Sequence, residues 1–367
     1  DDPTVVVDSN SLTESRPHIT SGSVVLDYLI GGAPNRLGVP PCPGWPRGMI
    51  SNIFGHESSG KTTVALEAAS AVCDSGGTVC FIDWEHAISL DYASALGCPV
   101  EDPDRFYLTQ PTTLETGLSV LFACARAGVD LIILDSVGAG VPKSIREQAL
   151  KDKGDMGRVG LVAAKWSHVL PQLAADIAES GSHVMGISQL RKKINTSGYG
   201  KGDGTTHQGG EAWKFFSALR LSFRRVKSIK TKDYDALQHK NVERFTSALI
   251  QATVKKSKVS NSQQREAYYH ITFGEGIDNV RDLIAVGSNH GIVNKSGSWF
   301  QFERKDGTTL RAQGTTGFKE EILTVPGAYD ELAVLVLEAV RRGSKDSKKP
   351  VGDEDDDVDE TLGFVTE

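Results

Sequence analysis

Residues Gly55-His-Glu-Ser-Ser-Gly60-Lys61-Thr62 stand between an apolar run, Met49-Ile-Ser-Asn-Ile-Phe54, and a helix-like segment, Thr63-Val-Ala-Leu-Glu-Ala-Ala-Ser-Ala-Val-Cys73. A glycine-rich turn from strand into helix points backbone N–H groups at phosphate oxygens, and the helix N-terminus adds partial positive charge. The spacing predicts that Gly55, His56, Glu57, Ser58, Ser59, Gly60 and Thr63 surround the phosphates of a nucleotide. Lys61 is expected to reach the β- and γ-phosphates, and the Thr62 hydroxyl to ligate Mg²⁺. The loop by itself says that ATP or a relative binds.

Two carboxylates extend the site. Leu131-Ile-Ile-Leu-Asp135 is an apolar strand ending in an acid, followed by Ser136. Ligands of parallel sheets bind at the carboxyl ends of the strands, so Asp135 is expected to hold Mg²⁺ through water. Glu85 follows Phe81-Ile-Asp-Trp84 and is expected to orient and activate water for attack on the γ-phosphate. Asp83 and His86 are its neighbours and rivals for that role.

Outward from the loop, Thr78–Asp83, Leu131–Asp135 and His183–Ser188 are short β-type runs. Between them Ala65–Cys73, Leu114–Ala127 and Leu161–Glu179 suit helices. The alternation predicts an α/β fold, a mainly parallel twisted sheet with helices on both faces. Pro34–Gly48 is too rich in Pro and Gly for a regular element. Ile194–Gly210 is a Gly/Thr/Ser/Lys loop of a length that is usually functional or mobile. From Ile277 the pattern becomes a small α+β unit closing on an apolar helix, Tyr329–Arg342. The expected division is a short arm over 1–18, a core over 19–276, a small C-terminal domain over 277–343 and an acidic tail over 344–367.

The 367 residues are 39% hydrophobic and 24% charged, enough for one large and one small domain. No apolar run approaches the ~20 residues of a membrane span, and no signal-peptide pattern is visible. No membrane partner and a cytoplasmic location are therefore expected. Cys42, Cys73, Cys80, Cys98 and Cys124 match no zinc spacing and read as reduced core thiols. Net charge is −7, but residues 352–367 hold eight acids and no base, so the remainder is +1. The acidic balance thus does not exclude a nucleic-acid partner. The tail reads as disordered, either solubilising the chain or acting as a polyanion that competes with DNA for basic surface.

The order of several segments resembles the RecA family of recombinases. They are Ser21-Gly-Ser-Val-Val-Leu-Asp27, Phe54-Gly-His-Glu-Ser-Ser-Gly-Lys-Thr-Thr63, Phe81-Ile-Asp-Trp-Glu-His-Ala87 and Leu134-Asp-Ser-Val137. Gln189-Leu-Arg-Lys-Lys-Ile194, Gly209-Gly-Glu-Ala-Trp-Lys-Phe215, Phe273-Gly-Glu-Gly-Ile277 and Gly297-Ser-Trp-Phe300 follow. The resemblance covers roughly residues 19–342, and the divergence and insertions suggest a bacteriophage member acting in a bacterial cell. It implies that Glu85 is the catalytic glutamate and that Gln189 senses the γ-phosphate and signals to a DNA loop. It implies that Tyr92 stacks on adenine and that Lys256 and Lys258 reach the ATP of a neighbouring subunit. Phe215 would be an aromatic of the subunit interface. Ser89 stands where the family usually has Asp, which implies looser base selectivity, and Ser188 replaces the usual Asn. No N-terminal docking helix is evident in residues 1–18.

The same resemblance implies two loops lining a filament axis. The first, near Ser144–Gly160, carries Lys153, Met156, Arg158 and Val159. The second, Asn195–Gln208, is flanked by Arg191, Lys192, Lys193, Gly209 and Gly210 and contains Tyr199. Basic groups and loop N–H groups neutralise and bind phosphates without reading bases, and Val159 or Met156 could wedge between bases. Arg281, Arg304, Lys305 and Arg311 lie where the family captures duplex DNA, although scattered surface charge explains them equally well. The expected activity is a DNA-dependent ATPase that uses Mg²⁺. It would form filaments on single-stranded DNA, with loading proteins as possible partners, and exchange homologous strands with duplex DNA. The alternatives are a helicase or repair accessory ATPase on the same core and a regulatory filament used as a scaffold.

Overall fold

A computed structural model describes residues 14–32, 39–149, 158–192, 205–207, 210–235, 240–262 and 265–342. Within the strand Val79–Asp83, Val79 and Phe81 enter one core while Cys80 and Ile82 enter another. The strand Leu131–Asp135 divides Leu131 and Ile133 from Ile132 and Leu134 in the same way. Side chains alternate across a strand, so a strand covered on both faces reads as an unbroken apolar run.

Six strands form the parallel part of a ten-stranded sheet. Their spatial order is Leu219–Asp235, Ile50–Gly55, His183–Lys192, Leu131–Asp135, Val79–Asp83 and Phe106–Thr109. The helix Lys61–Asp74 covers one face through Leu66, Ala69 and Val72. The helices Leu114–Ala127 and Arg158–Ser180 cover the other through Leu118, Leu121, Trp166, Leu170 and Ile177. The register pairs Gly55 with Gln189 and Asp83 with Asp135. Gly55, Gln189, Asp83 and Asp135 are thereby brought to the carboxyl end of the parallel strands.

The sheet is mainly parallel, as the sequence pattern predicts, and carries an antiparallel extension on one side. Leu219–Asp235, Lys240–Ser257, Glu266–Thr272 and Gly276–Ile277 extend it as antiparallel neighbours. The long hairpin of the first two contains three register shifts. Its outer part is polar and basic, which hides its strand character from a reading based on apolar runs.

The C-terminal unit has its own core, with Phe302, Phe318 and Leu332 buried at its centre. It comprises the helix Asn279–Asn289, an antiparallel sheet of Val293–Ser296, Trp299–Glu303 and Thr309–Gln313, and the helices Gly314–Thr324 and Ala328–Arg342. An early helix, Val24–Gly31, packs Val24 and Tyr28 against this core. Ser23 caps that helix by accepting from Leu26 N.

Two expectations change. Within 34–48, Trp45–Pro46 pairs antiparallel with His18–Ile19, because the fully buried Trp45 anchors that short bridge. The region 144–160 is helical at both ends, over Lys143–Ala149 and from Arg158 onward. Among the described residues no helix is long and apolar enough to cross a membrane. The five cysteines are free thiols, four of them buried.

Candidate functional site

The strand Ile50–Gly55 enters the loop at a glycine for a steric reason. A Cβ on Gly55 would lie 2.2 Å from the Phe223 carbonyl oxygen and 2.7 Å from Ser59 Oγ. Gly60, which caps the helix Lys61–Asp74, has φ +82°, in the left-handed region that favours glycine. Between them His56 O accepts from Ser59 Oγ at 2.8 Å and from Lys61 Nζ at 2.7 Å. Burial lowers the Lys61 pKa, while the charges of Asp135, Glu85 and Glu57 oppose that shift.

Thr62 Oγ1 donates to Asp135 Oδ2 at 3.0 Å. Burial, reinforced by the Glu85 and Asp83 charges and opposed by Thr62 and Lys61, pushes Asp135 up to about 7. A buried carboxyl crowded by two others leaves more negative charge than Lys61 offsets. A divalent cation held by Thr62, and by Asp135 through water, fits that donor set and that excess.

Ser136, joined to Asp135 by a cis peptide, donates its Oγ to Glu85 Oε1 at 2.5 Å. Gln189 Nε2 donates to Glu85 Oε1 and Oε2 at 3.0 and 3.3 Å. Glu85 itself is exposed at the mouth of the site. Its rival Asp83 is buried and already accepts from Glu85 N (2.9 Å), Ala87 N (2.9 Å), Ile88 N (3.2 Å) and Gln110 Nε2 (3.0 Å). Asp83 therefore shapes the turn that presents Glu85. Tyr92 lies on the helix Leu90–Ala95, with its hydroxyl 3.0 Å from Thr63 Oγ1. Ser89 caps that helix, accepting from Tyr92 N at 3.2 Å.

A chain of aromatic contacts leads away from the site. Trp84, next to Glu85, stands edge-on to Trp166 at 6.2 Å, and Trp166 edge-on to Trp213 at 5.0 Å. Trp166 lies on the helix that begins at Arg158, and Trp213 on the helix Ala212–Phe216. Gly117 and Gly186 make room for the outer two: a Cβ on either would fall 2.2 Å from Trp84 or 2.4 Å from Trp213. Trp166 and Gln110 lie outside the motifs, and the motifs that contain Trp84, Ser136 and Trp213 do not reveal what these residues touch. The one available signal was the scarcity of tryptophan, five in the chain, with two of these three inside motif segments.

The expected DNA residues are placed unevenly. Lys153, Met156, Lys193, Tyr199 and Gly209 lie outside the described residues. Arg158 and Val159 open the helix Arg158–Ser180. Arg191 and Lys192 end a strand whose tip pairs antiparallel with Thr205–His207. Gly210 has φ +87°, and a Cβ there would meet Ala163 Cβ at 2.7 Å, so helix packing accounts for this glycine without a DNA contact. In the C-terminal unit Arg304 is engaged within its own domain, with Glu331 at 3.0 Å and Asp306 at 3.6 Å.

Lys256 and Lys258 lie away from the loop of their own chain. Lys256 pairs with Arg220, and Arg220 pairs with Asn52 near the start of the strand that ends at Gly55. At ~3.3 Å per residue, that is roughly 10 Å back along the sheet, with Lys258 further on. Lys256 Nζ donates to the carbonyls of Lys214 (2.6 Å) and Phe215 (3.0 Å). The Phe215 side chain, on the same short helix, is 71% exposed.

A family model for the RecA N-terminal domain matches residues 6–278. The chain is 35% identical over 348 residues to Protein RecA of Campylobacter hominis, covering 94% of this chain and 88% of that protein. With Protein RecA of Helicobacter hepaticus the identity is 36% over 339 residues, covering 92% and 87%. With that of a Nostoc species it is 34% over 352 residues, covering 93% and 87%. The crystal structure of the RadB recombinase aligns with a TM-score of 0.47 at 20% identity, over 71% of this chain and 98% of that one.

Proposed function

The chain belongs to the RecA N-terminal domain family, and from that membership we propose that it is an ATP-hydrolysing recombinase acting as a filament on single-stranded DNA in the bacterial cytoplasm. The observation that carries this reading is the Gln189 amide on both oxygens of Glu85. Gln189 belongs to the strand that runs on through Arg191 and Lys192 toward the second expected DNA loop. One side chain thus joins the hydrolytic carboxylate to a DNA-facing segment.

In this proposal Gly55–Thr63 cradles the triphosphate and Lys61 neutralises its β- and γ-oxygens. Mg²⁺, held by Thr62 and through water by Asp135, would supply charge stabilisation at the phosphates. Glu85, held by Ser136 and Gln189, orients the attacking water and takes its proton. Tyr92 stacks on the base. Lys256 and Lys258 serve the nucleotide of a neighbouring subunit, since their strand register carries them away from their own loop. That ties ATP binding to assembly, because each site is complete only between two subunits. The exposed Phe215 lies in the same interface. Arg158, Val159, Arg191 and Lys192, with Lys153, Met156, Lys193 and Tyr199, contact DNA through phosphates and apolar wedging. Base pairing then supplies specificity for the homologous duplex.

Electron microscopy with single-stranded DNA and a slowly hydrolysed ATP analogue, paired with a strand-exchange assay, tests this. Helical filaments that exchange homologous strands are expected. Closed rings would point to a helicase, and filaments without exchange to a scaffold.

A further inference from the structure

Glu67 is a carboxylate beside the nucleotide site that the hydrolytic machinery leaves unused. It lies one turn beyond Thr63 on the helix Lys61–Asp74, so the two share a face. Thr63 holds the Tyr92 hydroxyl, and the Tyr92 phenol is raised by burial and then by the nearby Glu67 charge. Glu67 Oε1 accepts from Ile277 N at 2.7 Å. A Cβ on Gly276 would stand 2.1 Å from that oxygen and 2.5 Å from Leu96 Cδ2, at the end of the Tyr92 helix. Glu67 therefore sits half-buried in the seam between the Tyr92 helix and Gly276–Ile277. Among the described residues its Oε2 accepts no hydrogen bond.

We propose that Glu67 selects the nucleobase, its Oε2 accepting a hydrogen bond from the exocyclic N6 amine of an adenine stacked on Tyr92. The assignment rests on the stacking role given to Tyr92 above. Adenine presents a donor at that edge, where guanine presents its O6 acceptor. A carboxylate binds the first and repels the second, and sites built around such a bond discriminate strongly against an analogue that cannot make it. Ser89 is committed to capping the Tyr92 helix, so the loss of the family's usual Asp there is compatible with retained selectivity.

Glu67→Gln is the discriminating variant. Its amide oxygen still serves Ile277 N, while an NH2 donor replaces the free acceptor. The full-length protein with Mg²⁺ is titrated with ATP and with GTP in competition against a fluorescent ATP analogue. The wild type is expected to prefer ATP, and the variant to lose about 10- to 100-fold of that preference, losing ATP affinity and gaining GTP affinity. Glu67→Asp, which retracts the carboxylate, is expected to lose the preference as well and serves if the first variant misfolds. An unchanged ATP-to-GTP ratio, or an equal loss for both nucleotides, overturns the assignment. Tyr92→Ala separates the two readings. If it weakens both nucleotides while Glu67→Gln leaves the ratio unchanged, only the Glu67 role fails. If it weakens neither, the base does not stack on Tyr92 and the underlying reading fails.

Discussion

Gln189 donates one amide to both carboxylate oxygens of Glu85, across 104 positions of sequence. With Ser136 also donating to Oε1, the carboxylate is held from just past the end of one strand and from within its neighbour. In the proposed role of general base, a carboxylate held this way needs little reorganisation when water attacks the γ-phosphate.

Replacing Glu85 by Gln keeps the shape and removes the base. ATP turnover is expected to fall about 10²- to 10⁴-fold, while affinity for a fluorescent nucleotide stays within a few-fold. Steady-state turnover near the wild-type rate would move the base elsewhere. Asp83 is a poor second candidate, because its oxygens already take four donors.

The register of Lys256 and Lys258 leads to a mixing experiment. Lys256→Ala/Lys258→Ala protein and Glu85→Gln protein should each be nearly inactive alone. A mixture should regain turnover on DNA, because a subunit carrying Glu85 can receive lysines from a Glu85→Gln neighbour. A mixture as inactive as its components would show that the lysines act within their own subunit.

Trp166 is fully buried, donates Nε1–H to Val137 O at 2.8 Å and touches two other tryptophans. Trp166→Ala is expected to cost about 3–5 kcal/mol in denaturant unfolding, from lost burial and the cavity left behind. Phe215→Ala removes a larger exposed surface yet should change stability by no more than about 0.5 kcal/mol. Its effect should appear in assembly, measured by sedimentation with DNA and an ATP analogue.

His183 gives a pH signature. It is fully buried, and its Nδ1–H donates to Pro46 O at 2.7 Å. Burial pushes its pKa from 6.5 down to about 4. The unfolded chain takes up the proton first, so this group's stability is fully present above pH 6.5. It is lost as pH falls toward 4, by roughly 3 kcal/mol in all. Asp27 and Asp282, which burial raises to about 6, act with the opposite sign in part of that window. The readout is therefore the difference between wild type and His183→Gln in denaturant midpoint at pH 7 and pH 5. Parallel curves would show that the ring is not held neutral.

The sequence by itself determined the phosphate loop, the alternation of strands and helices, and the carboxylates at strand ends. These depend on neighbours a few residues apart: a glycine that admits a left-handed turn, an apolar run of strand length, a helix that starts at Lys61. Through its resemblance to a known family it also pointed to Gln189 and to the lysine pair. The sequence favoured Glu85 over Asp83, and only the tertiary structure showed that Asp83 is buried and already takes four donors. Tertiary structure alone set Lys256 and Lys258 back from their own loop, because strand register is a long-range pairing that a short basic run does not encode. The contacts of Trp84, Trp166 and Trp213, and of Glu67 with Ile277, arise from packing between distant segments. No local pattern carries them, because the distance between two side chains on separate elements is fixed only when the core between those elements closes.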